Sequence, residues 1–318
     1  MLVKFLTTAI RFSATFLYGS TGEIIIEKSG HLNLGIPGIM SVGAAIGCIT
    51  EYYLVKSMGT GAPALLILLP LLMTLIGGAL MGLLYSFLTV TLRANQNVVG
   101  LAMTTFGVGL AGYLISDIQA EMAIIARASK FFRNMFAVQS DNWFVQIFLS
   151  HGVLVYLAII VAIVVQIILS KTRIGLNLRA VGENPATADA AGINVTKYKY
   201  VSTCVGCAIS AVGGLFCIMD YMGGNWEYIL EGFGWLSIAL VIFTLWRPAL
   251  AIPGSVIFAG LYILAFGYID GITFAQIEIM KMLPYLVTVL VLAITSMFNK
   301  KNTQPPAALG TSYFREER

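Results

Sequence analysis

The sequence predicts an all-α, polytopic membrane protein with roughly nine to ten transmembrane helices, some broken or re-entrant, and one short helix in a cytoplasmic loop. Three observations carry this. The 318 residues are 58% hydrophobic and only 11% charged, with a mean hydropathy of +0.87, whereas a soluble domain carries roughly 25% charged residues to cover its surface. Several apolar runs reach the ~20 residues that a spanning helix needs. The runs are continuous rather than alternating, which favours helices over a closed barrel.

In chain order the expected spans are 5–26, 36–55, 63–92, 98–118, 146–170, 198–220, 232–247, 250–269 and 282–299. The first is read as an uncleaved membrane segment, because Arg11 interrupts it and no small-residue cleavage site follows. The run 63–92 is long for one upright span, so it either tilts or breaks at Pro70 or Gly77–Gly78. Residues 1–299 form one transmembrane unit with a polar loop at 171–199, and 300–318 form a polar tail with Pro305–Pro306 expected to be extended.

Orientation follows the cations. Lys171, Arg173, Arg179, Lys197 and Lys199 against Glu183 and Asp189 put the loop 171–199 in the cytoplasm, and counting spans forward puts the tail there too. Counting backward leaves Arg127, Lys130 and Arg133 outside, and Met1 outside, although Lys4 and Arg11 argue for an internal start. A re-entrant or broken early segment would reconcile the two.

Composition also excludes. No basic, aromatic-interleaved face suited to nucleic acid occurs, and no GxxxxGK[ST] phosphate loop. The pair Cys204/Cys207 has no second pair or nearby His, so all four cysteines read as apolar core residues. His31 and His151 stand alone at segment boundaries. Ionisable residues such as Glu23, Asp117, Asp220 and Asp270 lie near segment ends, and that scarcity of deep charge disfavours a proton- or sodium-driven carrier. A self-standing channel or an integral-membrane enzyme is a further class, the latter lacking any polar catalytic cluster.

Three stretches stand out. In Glu27-Lys28-Ser29-Gly30-His31-Leu32-Asn33-Leu34-Gly35-Ile36-Pro37-Gly38, glycines and a proline interrupt the apolar sequence and separate one hydrophobic run from the next. This is either an ordinary loop or a break at membrane depth, of the kind that lines a substrate path. In the cytoplasmic loop, Asn184 suits an N-cap, Pro185 a first helical position and Gly192 a helix stop. They predict a helix over 185–191 whose side chains are nearly all small, either docked on a partner or left as a frayed turn. Finally, a span ends at Trp246-Arg247-Pro248, a membrane–water boundary.

"TRIGLNLRAVGENPATADAAGINV" with "KYKYV" resembles the cytoplasmic coupling loop of ATP-binding-cassette importer permeases in the ribose and branched-chain amino acid group. "SGHLNLGIPGIM", "MLPYLVTVLVLAI" and "PPAALGTSYFREER" are similar to other stretches of that family, closest to nucleoside and simple-sugar permeases served by a basic-membrane-protein-type lipoprotein. Pro37 stands where many relatives carry Glu. The resemblance implies a bacterial plasma-membrane permease that binds no cofactor itself. Its partners would be ATPase subunits holding ATP and Mg, a second and different permease, and an extracytoplasmic binding lipoprotein. It implies coupling to the ATPase through Arg179, Gly182, Glu183, Asn184, Pro185, Ala188, Ala191 and Gly192. Nucleosides are the expected cargo, with simple sugars or branched-chain amino acids as the alternative. A nucleoside needs an apolar or aromatic wall for its base and polar groups for its ribose. Asn33, Gly35, Pro37, Asn97, Phe106, Asn225 and Trp226 are the candidate pathway residues.

Overall fold

A computed structural model describes residues 2–138, 140–227, 230–264, 274–298 and 304–314, and among them the chain is all helical with no strand. The helices are α1 (Leu2–Glu27), α2 (Ile36–Met58), α3 (Pro63–Ser86), α4 (Gln96–Ser116), α5 (Met122–Asn134), α6 (Trp143–Phe148) and α7 (Val153–Lys171). They continue with α8 (Arg173–Glu183), α9 (Pro185–Ala190), α10 (Val195–Phe216), α11 (Leu230–Phe243), α12 (Pro248–Leu264), α13 (Phe274–Lys281) and α14 (Leu283–Phe298). Two helices end in a wider π turn, α3 at Phe87–Thr91 and α10 at Cys217–Tyr221. Six segments are long and apolar enough to cross a membrane, and α11 and α12 are shorter apolar helices.

Helix α10 is the axis of the bundle, touching α1, α2 and α3 along its length. Backbones can meet there because the contact residues are small. A side chain on Gly22 would strike the Gly206 carbonyl and Ser210, one on Gly43 would meet Ala211, and one on Gly214 would run into the Met40 carbonyl. With no hydrophobic driving force between helices in lipid, such close approach supplies the van der Waals contact that holds them. Large apolar side chains instead cover the outer faces of α3, α4, α7 and α14.

Some expected boundaries move. The run 63–92 is one continuous helix that passes Pro70 and ends in the π turn. It is not broken at Gly77–Gly78, because Gly77 seats Ile46 and Gly78 seats Ala211 of neighbouring helices. The run 146–170 does break: α6 stops at Phe148, and α7 starts after Gly152. A Cβ at Gly152 would strike the Phe132 carbonyl, so the chain turns there against α5. The last residues of the expected span 250–269, and Asp270 beyond it, lie outside the described residues.

The first segment is one unbroken helix. Helix α1 runs for 26 residues, about 39 Å, antiparallel to α10. Two of the misplaced cations, Arg11 and Arg133, have partners at one site near its first half. Arg11 Nε donates to Asp220 Oδ1 at 2.6 Å and its terminal nitrogen to the Asp220 carbonyl at 2.7 Å. Arg133 of α5 donates to the carbonyls of Asp220 and Tyr221 at 3.0 and 3.1 Å. Arg11 and Arg133 are therefore fixed by a buried anion and carbonyl oxygens at the end where α10 finishes. Their position reports that site rather than the side of the membrane.

Removing one partner of a buried ion pair leaves the other uncompensated, a loss of about 3 kcal/mol. Asp220→Ala is therefore expected to lower the thermal midpoint of the detergent-solubilised protein well below that of Asp220→Asn, which keeps an acceptor for Arg11. Equal midpoints for wild type and Asp220→Ala, followed by tryptophan fluorescence, would contradict this role.

Candidate functional site: the helix junction and the loop beneath it

Helix α1 ends because Gly30 adopts φ +83°, a left-handed turn natural to glycine, with its N–H donating to the Glu27 carbonyl at 2.9 Å. The next five residues leave helical geometry inside the protein, so their polar groups need partners from side chains. They find them on four helices. His31 Nδ1 lies 2.9 Å from Thr203 Oγ1 of α10. Leu32 N–H donates to Gln96 Oε1 of α4 at 2.8 Å, and its carbonyl accepts from Tyr85 of α3 at 2.6 Å. Asn33 N–H donates to Glu23 Oε1 of α1 at 3.2 Å, and Thr104 of α4 donates to the Leu34 carbonyl at 2.7 Å. Asn33 Oδ1 accepts from Gly35 N–H at 2.9 Å, and α2 then starts with Pro37 in its first turn.

Beneath the junction lie two buried carboxylates, Glu23 and Glu27, on successive turns of α1. Trp246 Nε1 donates to Glu27 Oε2. Trp246 is buried, so it is a partner for this acid rather than the interfacial anchor expected from the sequence. Glu51 and Asp220 are buried as well, which corrects the expectation that deep charge is scarce. The i, i+4 spacing of two acids in an apolar helix was the available signal.

The polar loop forms α8, which the sequence reading does not predict, and then α9, the helix that the caps predict. Asn184 Oδ1 accepts from Thr187 N–H at 2.9 Å, Pro185 opens α9, and Gly192 takes φ +84° just past its end. The eight residues expected to face a partner divide into two sets. Arg179, Glu183, Asn184, Ala191 and Gly192 are exposed, and Pro185 is half-buried. Gly182 and Ala188 are buried inside this chain. Ala188 packs with Val181 and Val195, and a side chain on Gly182 would strike the Lys28 carbonyl. These two hold the loop against the junction and do not present an outward surface.

The seven expected pathway residues do not converge within one chain. Asn33, Gly35 and Pro37 are buried in the junction, with Pro37 against Gly234 of α11 and Gly35 against Gly100 and Met103 of α4. Asn97 and Phe106 lie on the outer face of α4, where Phe106 is 50% and Tyr113 74% exposed. Asn225 is exposed and Trp226 half-buried at the opposite end, Trp226 sharing a narrow cleft with Ser41 and Ala111. A larger cavity of about 730 Å³ opens between the α9–α10 turn, Arg93 and Lys199.

All four cysteines are free, and Cys207 accepts from Asn33 Nδ2 at 3.6 Å. Among the described residues no three His, Cys, Asp or Glu side chains group to hold a metal. Burial lowers the pKa of His31 well below its usual value, with Lys199 adding to the effect. Burial also lowers that of Lys28, opposed by Glu183.

The sequence matches the family described as "Branched-chain amino acid transport system / permease component" over residues 5–292. It is 31% identical over 309 residues to the nucleoside ABC transporter permease protein NupC of Lactococcus lactis subsp. cremoris, covering 96% of this chain and 95% of that one. It is 28% identical to the guanosine ABC transporter permease protein NupQ of Bacillus subtilis, with the same coverage of 96% and 95%. It is 26% identical to the putative glucose ABC transporter permease protein TsgC13 of Haloferax volcanii, covering 98% and 97%.

The buried, neutral His31 gives a pH signature. The unfolded chain takes up this proton near pH ~6.5, the folded chain only well below it. The contribution of His31 to stability is thus full above pH ~6.5 and declines as pH falls. The thermal midpoint should drop between pH ~6.5 and ~5, and His31→Gln should flatten that part of the curve. Identical pH profiles for the two proteins would refute the assignment.

Proposed function

Because the chain belongs to the branched-chain amino acid transport system / permease component family, we propose that it is the membrane-spanning half of an ATP-driven importer whose cargo is a nucleoside. It is a multi-pass protein of the bacterial plasma membrane. The single observation that carries the cargo is full-length similarity to two permeases whose names specify nucleosides and guanosine. Similarity to a glucose permease over a comparable length keeps a simple sugar as the second reading.

In this reading nine helices cross the bilayer, namely α1, α2, α3, α4, α7, α10, α11, α12 and α14. The end carrying the α1–α2 junction and α8–α9 faces the cytoplasm, because Lys171, Arg173, Arg179, Lys197 and Lys199 gather there. Helix α9 seats in a groove of an ATPase subunit through its exposed small face, Ala186, Ala190, Ala191 and Gly192. ATP and Mg stay on that subunit. The outer face of α4, where Asn97 and Phe106 lie, lines the path together with a second permease. That explains why the candidate pathway residues do not close a site in one chain. A binding lipoprotein delivers the solute at the opposite end.

Two measurements test the proposal. ATP-dependent uptake of labelled guanosine or adenosine is expected in proteoliposomes holding this chain, a second permease, the ATPase subunits and the binding protein, unaffected by excess ribose or leucine. Uptake of a sugar and no nucleoside would replace the cargo. Separately, Ala186→Trp and Ala190→Trp should each reduce uptake to background, with thermal midpoints equal to wild type because both positions are exposed. Normal uptake by both would refute α9 as the docking element.

A further inference from the structure

The composition of the tail predicts a plain extended segment. Residues 304–314 instead fold back across the loop end of the bundle and join α8 and α9 to the α1–α2 junction. The Ala308 N–H donates to the Gly182 carbonyl at the end of α8 at 3.0 Å, and the Gly310 N–H donates to the Gly30 carbonyl in the junction at 3.2 Å. Gly182 and Gly30 already touch backbone to backbone, so the tail ties together both sides of that contact. Gln96 makes a second tie: its Nε2 donates to the Thr311 carbonyl at 3.2 Å while its Oε1 accepts from Leu32 N–H at 2.8 Å. Further on, the Tyr313 hydroxyl donates to Asp189 Oδ2 of α9 at 2.8 Å.

The tail is built to hold this path. Thr311 N–H and Oγ1 both donate to the Ala308 carbonyl, at 3.1 and 2.7 Å, and Gly310 takes φ +76°. A turn so closed is short and stiff, and glycine adopts its left-handed step without strain. Ala308 is buried, and the guanidinium of Arg93 lies 4.9 Å from the ring centre of Phe314. The bond from Tyr313 to a carboxylate is of the stronger, charge-assisted kind. A displacement of α9 therefore pulls on Tyr313, and through the turn at 308–311 it pulls on the α1–α2 junction.

We propose that residues 304–314 are a strap that transmits movement of α9 to the α1–α2 junction, with Tyr313 as the positioning residue that grips α9. This rests on the reading of α9 as the element that docks on the ATPase. A merely structural tail would affect folding; a strap affects how much transport each ATP drives.

The test uses the complete importer in proteoliposomes, with ATP hydrolysis and guanosine uptake measured in the same vesicles. Tyr313→Phe keeps the ring and removes only the bond to Asp189. It should leave ATP hydrolysis and the thermal midpoint intact while uptake per ATP falls about threefold or more, as for loss of a hydrogen bond to a charged group. Asp189→Ala should lower uptake per ATP at least as much, and adding Tyr313→Phe to it should lower it no further, because Tyr313 has already lost its acceptor. A chain ended after residue 303 should lower it at least as much. Unchanged uptake per ATP in Tyr313→Phe, with Ala190→Trp inactive, would overturn the strap and leave the docking of α9 standing. Full uptake by both Ala186→Trp and Ala190→Trp would remove the docking reading and the strap with it.

Discussion

The structure depends on a single constraint at the α1–α2 junction. Five residues leave helical geometry inside a protein that is otherwise apolar, and backbone groups there cannot be left without partners. Glu23, Tyr85, Gln96 and Thr104 meet that need, one from each of α1 and α3 and two from α4. Each of these bonds fixes a helix relative to the junction as much as it satisfies the junction. Helix α4 also packs on α2 and on the junction, where Gly107 abuts Gly38 and Gly100 abuts Leu34, and it buries Val99, Met103, Ala111 and Ile115 in the core. The bonds from Gln96 and Thr104 thus help to fix α4 relative to the junction.

Charge is arranged by the same need. Glu23 and Glu27 sit at the junction end, and Asp220 with Arg11 and Arg133 sits at the other. Glu23, Glu27 and Asp220 are acceptors for groups that would otherwise be stranded: a backbone N–H, an indole N–H, a guanidinium. None of these carboxylates joins with two others into a ligand set among the described residues. Glu23, Glu27 and Asp220 each tie α1 or α10 to a neighbouring element.

The loop that carries α8 and α9 has two faces with different duties. Gly182 and Ala188 look inward, where lack of bulk lets α8 close on Lys28 and lets α9 close on Val181 and Val195. Ala186, Ala190 and Ala191 look outward, where lack of bulk leaves a smooth surface. A run of small residues thus divides between internal contact and an exposed surface. The tail crosses the same region and bonds to both Gly182 and Asp189, so three separated stretches of sequence converge there.

Sequence alone determined the elements whose signals are local. The helical class, the caps of α9 at Asn184, Pro185 and Gly192, and the interruption at residues 28–35 follow from hydropathy, backbone preference and capping chemistry, all of which act within a few residues. It also carried the family, through the loop motif around Gly182–Asn184. Tertiary structure decided what depends on partners distant in the chain. Arg11 looked like a marker of orientation until Asp220, 209 residues away, was found beside it. Trp246 looked like an anchor until Glu27 was found against it. Which of the small residues in α8 and α9 face inward, and where the tail lies, were equally invisible, because a glycine or an alanine carries no mark of its neighbour. Long-range pairing of polar groups in a low-dielectric interior is set by three-dimensional proximity, and residue type along the chain encodes only that some partner must exist.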